Sequence, residues 1–123
     1  MEYRKLDKYH YIIRIDKGDE VLSGLGIASK IVLSRYDIDK KQFVEKTFEG
    51  SLEVNNLYAN ITKKKDYNVV NAHINFSDSD FNSYGGKLVE CVVGVTFEIV
   101  ITVISGNVNR KDDDFYDLSI LDI

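Results

Sequence analysis

Lys87–Ser105 reads KLVECVVGVTFEIVITVIS and is the most strongly patterned stretch of the chain. Val93, Val95, Phe97, Ile99, Ile101 and Val103 recur at every second position. A period of two places them on one face of a β-strand, since successive side chains in a strand point to opposite faces. The other face mixes Val92, Val100 and Ile104 with Gly94, Thr96, Glu98 and Thr102. One fully apolar face and one mixed face predict a central strand covered on both sides.

Working outward, the chain is a succession of strand signals divided by turn chemistry. YHYIIRI (9–15), KIVLSRYD (30–37), QFVEKTFEG (42–50), SLEVNNLYANIT (51–62) and YNVVNAHINF (67–76) are rich in aromatic and β-branched residues. In the last of these, Val70, Ala72, Ile74 and Phe76 share one face, and Val69, Asn71, His73 and Asn75 share the other. DKGDE, DIDKK, TKKKD and SDSDFNSYGG supply the breaks, the last with Gly85-Gly86 expected to serve the turn. Short, regular spacing favours hairpins and antiparallel pairing over βαβ units. No stretch reads as a long helix. DEVLSGLGIASK has apolar residues at helical spacing, but Gly24 and Gly26 interrupt it at about 1 kcal/mol each. The uncovered sheet face must therefore meet another sheet or another subunit. The charge-rich end, 107–123, reads as a tail on a single domain spanning 1–123, with Asp112–Asp114 as a solvated turn.

Composition narrows the function classes. The 123 residues suit one domain with its own core. A net charge of −4 argues against duplex binding, which calls for a basic excess or stripe. A single cysteine, Cys91, permits no internal disulfide and fits a reducing, cytoplasmic setting. No uncharged run is long enough to span a membrane.

The candidate motifs mostly fail on spacing. Counting back from Gly86-Lys87, a phosphate loop needs Gly at Phe81 and Ser or Thr at Leu88, with a helix to follow. Gly24-Leu25-Gly26 precedes a strand, which favours a tight turn or close backbone packing over a dinucleotide site. Asp78-Ser79-Asp80-Phe81-Asn82 opens like a calcium loop but has Ser83 and Val89 where Gly and Glu belong. It reads instead as a hairpin loop whose Asp and Asn side chains satisfy their own backbone. His10 and His73 are 63 residues apart and give no zinc spacing. Cys91 reads as a core thiol, and no nucleophile elbow is present.

The order YHYIIRIDKGDEVL, SGLGIASKIVLSRYD, FEGSLEVNNLYANIT, AHINFSDSDFNSYGGKL and FEIVITVISG resembles the plant and prokaryote conserved (PPC) domain, from Tyr9 to Gly106. Each motif is weak alone; their order and spacing carry the resemblance. The prokaryotic form stands alone and is often labelled a putative DNA-binding protein. The resemblance implies a compact α+β subunit, predominantly antiparallel sheet, assembled as a homotrimer. Arg14, Gly18, Asp19, Gly24, Gly26, Asn60, Gly85, Gly86 and Glu98 fall on its motif positions. Family members often carry three histidines that can hold a metal; here those positions are Asn71, His73 and Lys87. A lysine ammonium repels a divalent cation and offers no lone pair, so no metal and no cofactor is expected. The helix that family members place between RIDKGDEVL and SGLG is missing or much shortened, and Ala59 stands where glycine is common.

Three functional expectations follow. The first is a non-enzymatic homotrimeric binding or assembly module with a polar pocket at Asn71, His73 and Lys87 able to accept an anion. The second is direct DNA binding, weakened by the absence of proline, hence of any Gly-Arg-Pro hook, and by a trimer's threefold multiple of −4. The third is a metal-dependent enzyme, which needs the histidines this chain lacks.

Overall fold

The computed structural model describes residues 2–8, 10–16, 25–103 and 108–123. Among the described residues, eight strands form one sheet: β1 (Glu2–Lys5), β2 (His10–Asp16), β3 (Leu25–Asp37), β4 (Gln42–Lys64), β5 (Tyr67–Ser77), β6 (Ser83–Thr102), β7 (Asn109–Asp113) and β8 (Leu118–Asp122). Among the described residues, all pairings are antiparallel except a single parallel bridge, Lys63 with Asn109, between β4 and β7. The expected predominantly antiparallel sheet is found, and the α+β label is not confirmed: among the described residues there is no helix. The expected missing or shortened helix falls largely on 17–24, outside the described residues.

The sheet closes on itself. β3 pairs with the first half of β4, the second half of β4 pairs with β5, β5 with β6, and β6 again with β3. The opposite wall of the same sheet thus covers the apolar face, while the mixed face of β6, the one expected to meet another sheet or subunit, points outward with Glu98 and Val100 exposed. One strand serves two neighbours because β4 bends. QFVEKTFEG and SLEVNNLYANIT are one strand of 23 residues, not two. Gly50, at φ 126°, and Ser51 together face the single Ser29, and Asn55 is an extra residue between Val54 and Asn56. Such bulges bend a strand and increase its twist.

Inside the closure lie Ile31, Leu33, Leu52, Val54, Ile74, Phe76, Cys91, Val93, Phe97 and Ile99, all buried. Phe48, Phe76 and Tyr84 stack as an aromatic cluster with centroids 4.8–5.8 Å apart. The alternation expected for β5 holds at Ala72, Ile74 and Phe76, which are buried, against exposed His73 and Asn75. Burial pushes the Cys91 thiol up to about 11, as for an inert core thiol. The expected apolar face of Lys87–Ser105 is broken at one point. Gly94, Val95 and Thr96 together face Ile27, because Gly26 pairs with Phe97 and Ala28 with Val93. Val95 is thereby turned out and is 59% exposed.

Among the described residues, four hairpin turns close without glycine or proline. Lys41, Lys65, Phe81 and Asp117 each take a left-handed φ of 50–62°. Gly85 and Gly86 do not serve the turn; they sit in the β6 ladder opposite Asn75 and Ile74. The turn is built by Asp78. Its Oδ1 accepts from the backbone N–H of Asp80 at 3.0 Å and of Asn82 at 2.9 Å, and its Oδ2 accepts from Asn82 Nδ2 and the Tyr84 hydroxyl. Partial desolvation pushes the Asp78 carboxyl up, but these hydrogen bonds outweigh it and hold it below the ordinary value. A depressed folded-state value means that the ionised form stabilises the turn at higher pH, and that this is lost as pH falls through the lowered value. An acid titration followed at the Asp80 and Asn82 amides should show a shared midpoint below 3.8. A midpoint at or above that value would contradict the assignment.

Candidate functional site on the outer face of β4, β5 and β6

The outer face of the closed sheet is set by register. Asn60 of β4 lies opposite Asn71 of β5, Tyr58 opposite His73, and His73 opposite Lys87 of β6. Directly opposed residues of an antiparallel pair share a face, so Asn71, His73 and Lys87 belong to one polar patch. His73 is exposed, while Asn71 and Lys87 are partly buried. The Lys87 ammonium sits 4.4 Å from the centre of the Phe43 ring. Phe43 in turn meets Tyr36 edge-on at 5.3 Å. Among the described residues no group of three His, Cys, Asp or Glu side chains is placed to hold a metal ion.

The segment expected to be a tail is a hairpin, β7–β8, that clasps this part of the sheet. Arg110 donates through Nε to Thr62 Oγ1 at 2.7 Å, through Nη1 to the Ser119 carbonyl at 2.8 Å, and through Nη2 to Asn60 Oδ1 at 3.0 Å. Asp112, expected in a solvated turn, lies on β7 and pairs with Lys64, whose side chain is only 18% exposed. Hydrogen bonding to Asp112 is the main reason that the Lys64 ammonium is held above its ordinary value. At the tip, the Tyr36 hydroxyl donates to the Tyr116 carbonyl at 2.5 Å and Lys41 donates to the Phe115 carbonyl at 3.1 Å.

The remaining motif positions are spread over the fold. Arg14 and Glu98 are backbone partners across β2 and β6. Gly26 packs against β6, whereas Gly18, Asp19 and Gly24 lie outside the described residues. Sequence reading missed Phe43 and Arg110. Phe43 is 44 residues from Lys87, and Arg110 is 50 from Asn60, so no local spacing signals either contact. A planar five-donor side chain in an acidic segment was the only available hint at Arg110.

The mostly antiparallel sheet closed through β3, β4, β5 and β6 carries Asn60, His73 and Gly85-Gly86, positions on which the resemblance to the PPC domain rests. The family model of the Plants and Prokaryotes Conserved (PCC) domain matches residues 19–105, and the chain belongs to that family. A "putative DNA-binding protein" from Bacteroides thetaiotaomicron has a similar solved structure, with a TM-score of 0.92 at 24% identity over 98% of this chain and 96% of that one. A second protein of that name, from Ralstonia eutropha, gives 0.87 at 25% identity over 98% and 95%. A plant- and prokaryote-conserved protein of Pyrococcus horikoshii gives 0.82 at 22% over 93% and 91%. No curated protein matches the sequence significantly. Among the described residues, no helix is long and apolar enough to cross a membrane.

Proposed function

We propose that this PPC-domain protein is a non-enzymatic binding or assembly module that works as a homotrimer in the cytoplasm. The observation that carries the non-enzymatic reading is Lys87 directly opposite His73. A fixed positive charge occupies the place where a metal ligand would be needed, and its ammonium is engaged by the Phe43 ring. The patch of Asn71, His73 and Lys87 then suits an anionic or hydrogen-bonding partner, with no reacting group. Exposed apolar residues on the outer surface, among them Tyr58, Val95 and Val100, support a partner that is another copy of the chain.

The test is elemental analysis of untagged protein joined to light scattering. The expected result is no stoichiometric metal and a mass three times the 14.1 kDa of one chain. Asn71→His with Lys87→His is expected to gain metal. Stoichiometric zinc in the unaltered chain would overturn the non-enzymatic reading, and a stable monomer would overturn the assembly reading.

The printed names of two similar structures favour direct DNA binding as a second reading. Retention on a generic DNA column that falls steeply with salt would support it. The net charge of −4 leads us to expect no such retention.

A further inference from the structure

Four residues along β5 from His73, the outer face is hollowed into a cavity of about 340 Å³. Its floor is a row fixed by register: Ile27 of β3 opposite Glu53 of β4, and Glu53 opposite Ser77 of β5. The two breaks in β4 make the hollow. Ser51 lies at the Gly50 bulge, and Asn55 is the extra residue that lets Val54 pair with Phe76 and Asn56 with Asn75. Asn55 is held by donation from its Nδ2 to Ser77 Oγ at 2.7 Å. The wall is the turn that follows Ser77, and it carries Phe81 at the mouth.

The lining has an unbalanced chemistry. Among the described residues, no lysine or arginine borders the cavity. The Asp78 carboxylate is consumed by its own turn, which takes hydrogen bonds on both oxygens. Glu53 differs: among the described residues its carboxylate has no hydrogen-bond or ion-pair partner. Phe81 is 92% exposed and stands on a left-handed φ of 62°, a conformation that is strained in a non-glycine residue. That strain is not offset by burying the ring within this chain. An aromatic face, a free carboxylate and an apolar floor at Ile27 are the elements that recognise an organic cation.

We infer that this cavity is a binding site for a small primary alkylammonium ligand, with the ammonium on Glu53 beneath the Phe81 ring and the hydrocarbon on Ile27. Ser51, Ser77 and Asn55 supply oxygens for the remaining ammonium protons. The site is separate from the His73–Lys87 patch and stands whether or not the assembly proposal does. Anions are disfavoured by Glu53 and Asp78 together.

The test is titration of the full chain with n-butylammonium chloride at constant ionic strength, followed by amide chemical shifts. Saturable shifts confined to Ser51, Glu53, Asn55, Ser77 and Phe81 are expected, with n-butanol giving none. Glu53→Gln is expected to weaken binding about tenfold or more, as loss of a charge-assisted contact should. Phe81→Ala is expected to weaken it about two- to fivefold, the scale of an exposed cation–π contact. Both side chains are exposed, so unchanged shifts elsewhere will show that the variants keep the fold. Unsaturable shifts, equal shifts with n-butanol, or an unaltered response in Glu53→Gln would overturn the inference.

Discussion

Gly26→Ala should unfold the protein at markedly lower denaturant, with a loss of about 3 kcal/mol or more. A Cβ built on Gly26 lies 2.2 Å from the Thr96 carbonyl oxygen, 2.6 Å from Phe97 Cδ2 and 2.8 Å from Phe97 Cα. Two of those three atoms are backbone, so no rotamer change relieves the overlap. Gly26 pairs on both sides, with Val54 of β4 and Phe97 of β6, at the place where the β3–β6 register jumps. Moving β3 away to admit a methyl group would pull at the closure and at Phe97, a fully buried ring. Gly86→Ala is the control. There the added Cβ meets nothing nearer than Leu33 Cδ1 at 3.5 Å, an ordinary contact. It should change stability by less than about 1 kcal/mol. Urea denaturation of both variants measures the difference. Equal midpoints would falsify the claim that β3 and β6 touch through Gly26.

Phe76→Ala should cost about 3–5 kcal/mol, lowering the melting temperature by roughly 10–20 °C for a domain of this size. The ring is fully buried, and it meets Phe48 at 5.2 Å and Tyr84 at 5.8 Å. Phe76 pairs with Val54 on one side and Tyr84 on the other, so the cavity left by the ring would open where β4, β5 and β6 converge. Phe76→Leu keeps most of the volume but loses the edge contacts with the neighbouring rings. It should fall between the two, at about 1–2 kcal/mol. A fluorescence-monitored melt reports both, using the tyrosines of a chain that has no tryptophan. A loss below about 1 kcal/mol for Phe76→Ala would mean that the closure does not depend on this aromatic cluster.

The candidate site was legible in part. The family motifs named Asn71, His73 and Lys87, and the two-residue period of β5 already placed Asn71 and His73 on one face. That Lys87 stands opposite His73 follows from hairpin register, which depends on the length of the turn. The sequence suggested a turn through Gly85-Gly86. The turn instead ends at Asn82, because the Asp78 carboxylate holds the amides of Asp80 and Asn82 and Phe81 accepts a left-handed backbone. A glycine-free turn of this kind is carried by hydrogen bonds whose formation composition alone does not announce. The Arg110 clasp on Asn60 and Thr62 was not legible, because the contact spans about 50 residues and exists only once β7 lies beside β4.

By itself, the sequence determined that the chain is mostly strands in antiparallel pairs, and it set the buried face of β5, since these rest on side-chain alternation within ten or so residues. It also showed a net charge of −4 and two histidines, His10 and His73, in the whole chain. Only the tertiary structure decided what covers the sheet. The alternation says that a face is apolar; it does not say which surface meets it. The bulges at Gly50 and Asn55 bend β4 until its two halves serve different neighbours. β6 then pairs with both β3 and β5, and the sheet buries its own apolar face. Closure is a long-range event whose gain is shared among many residues, and no local stretch of sequence encodes it.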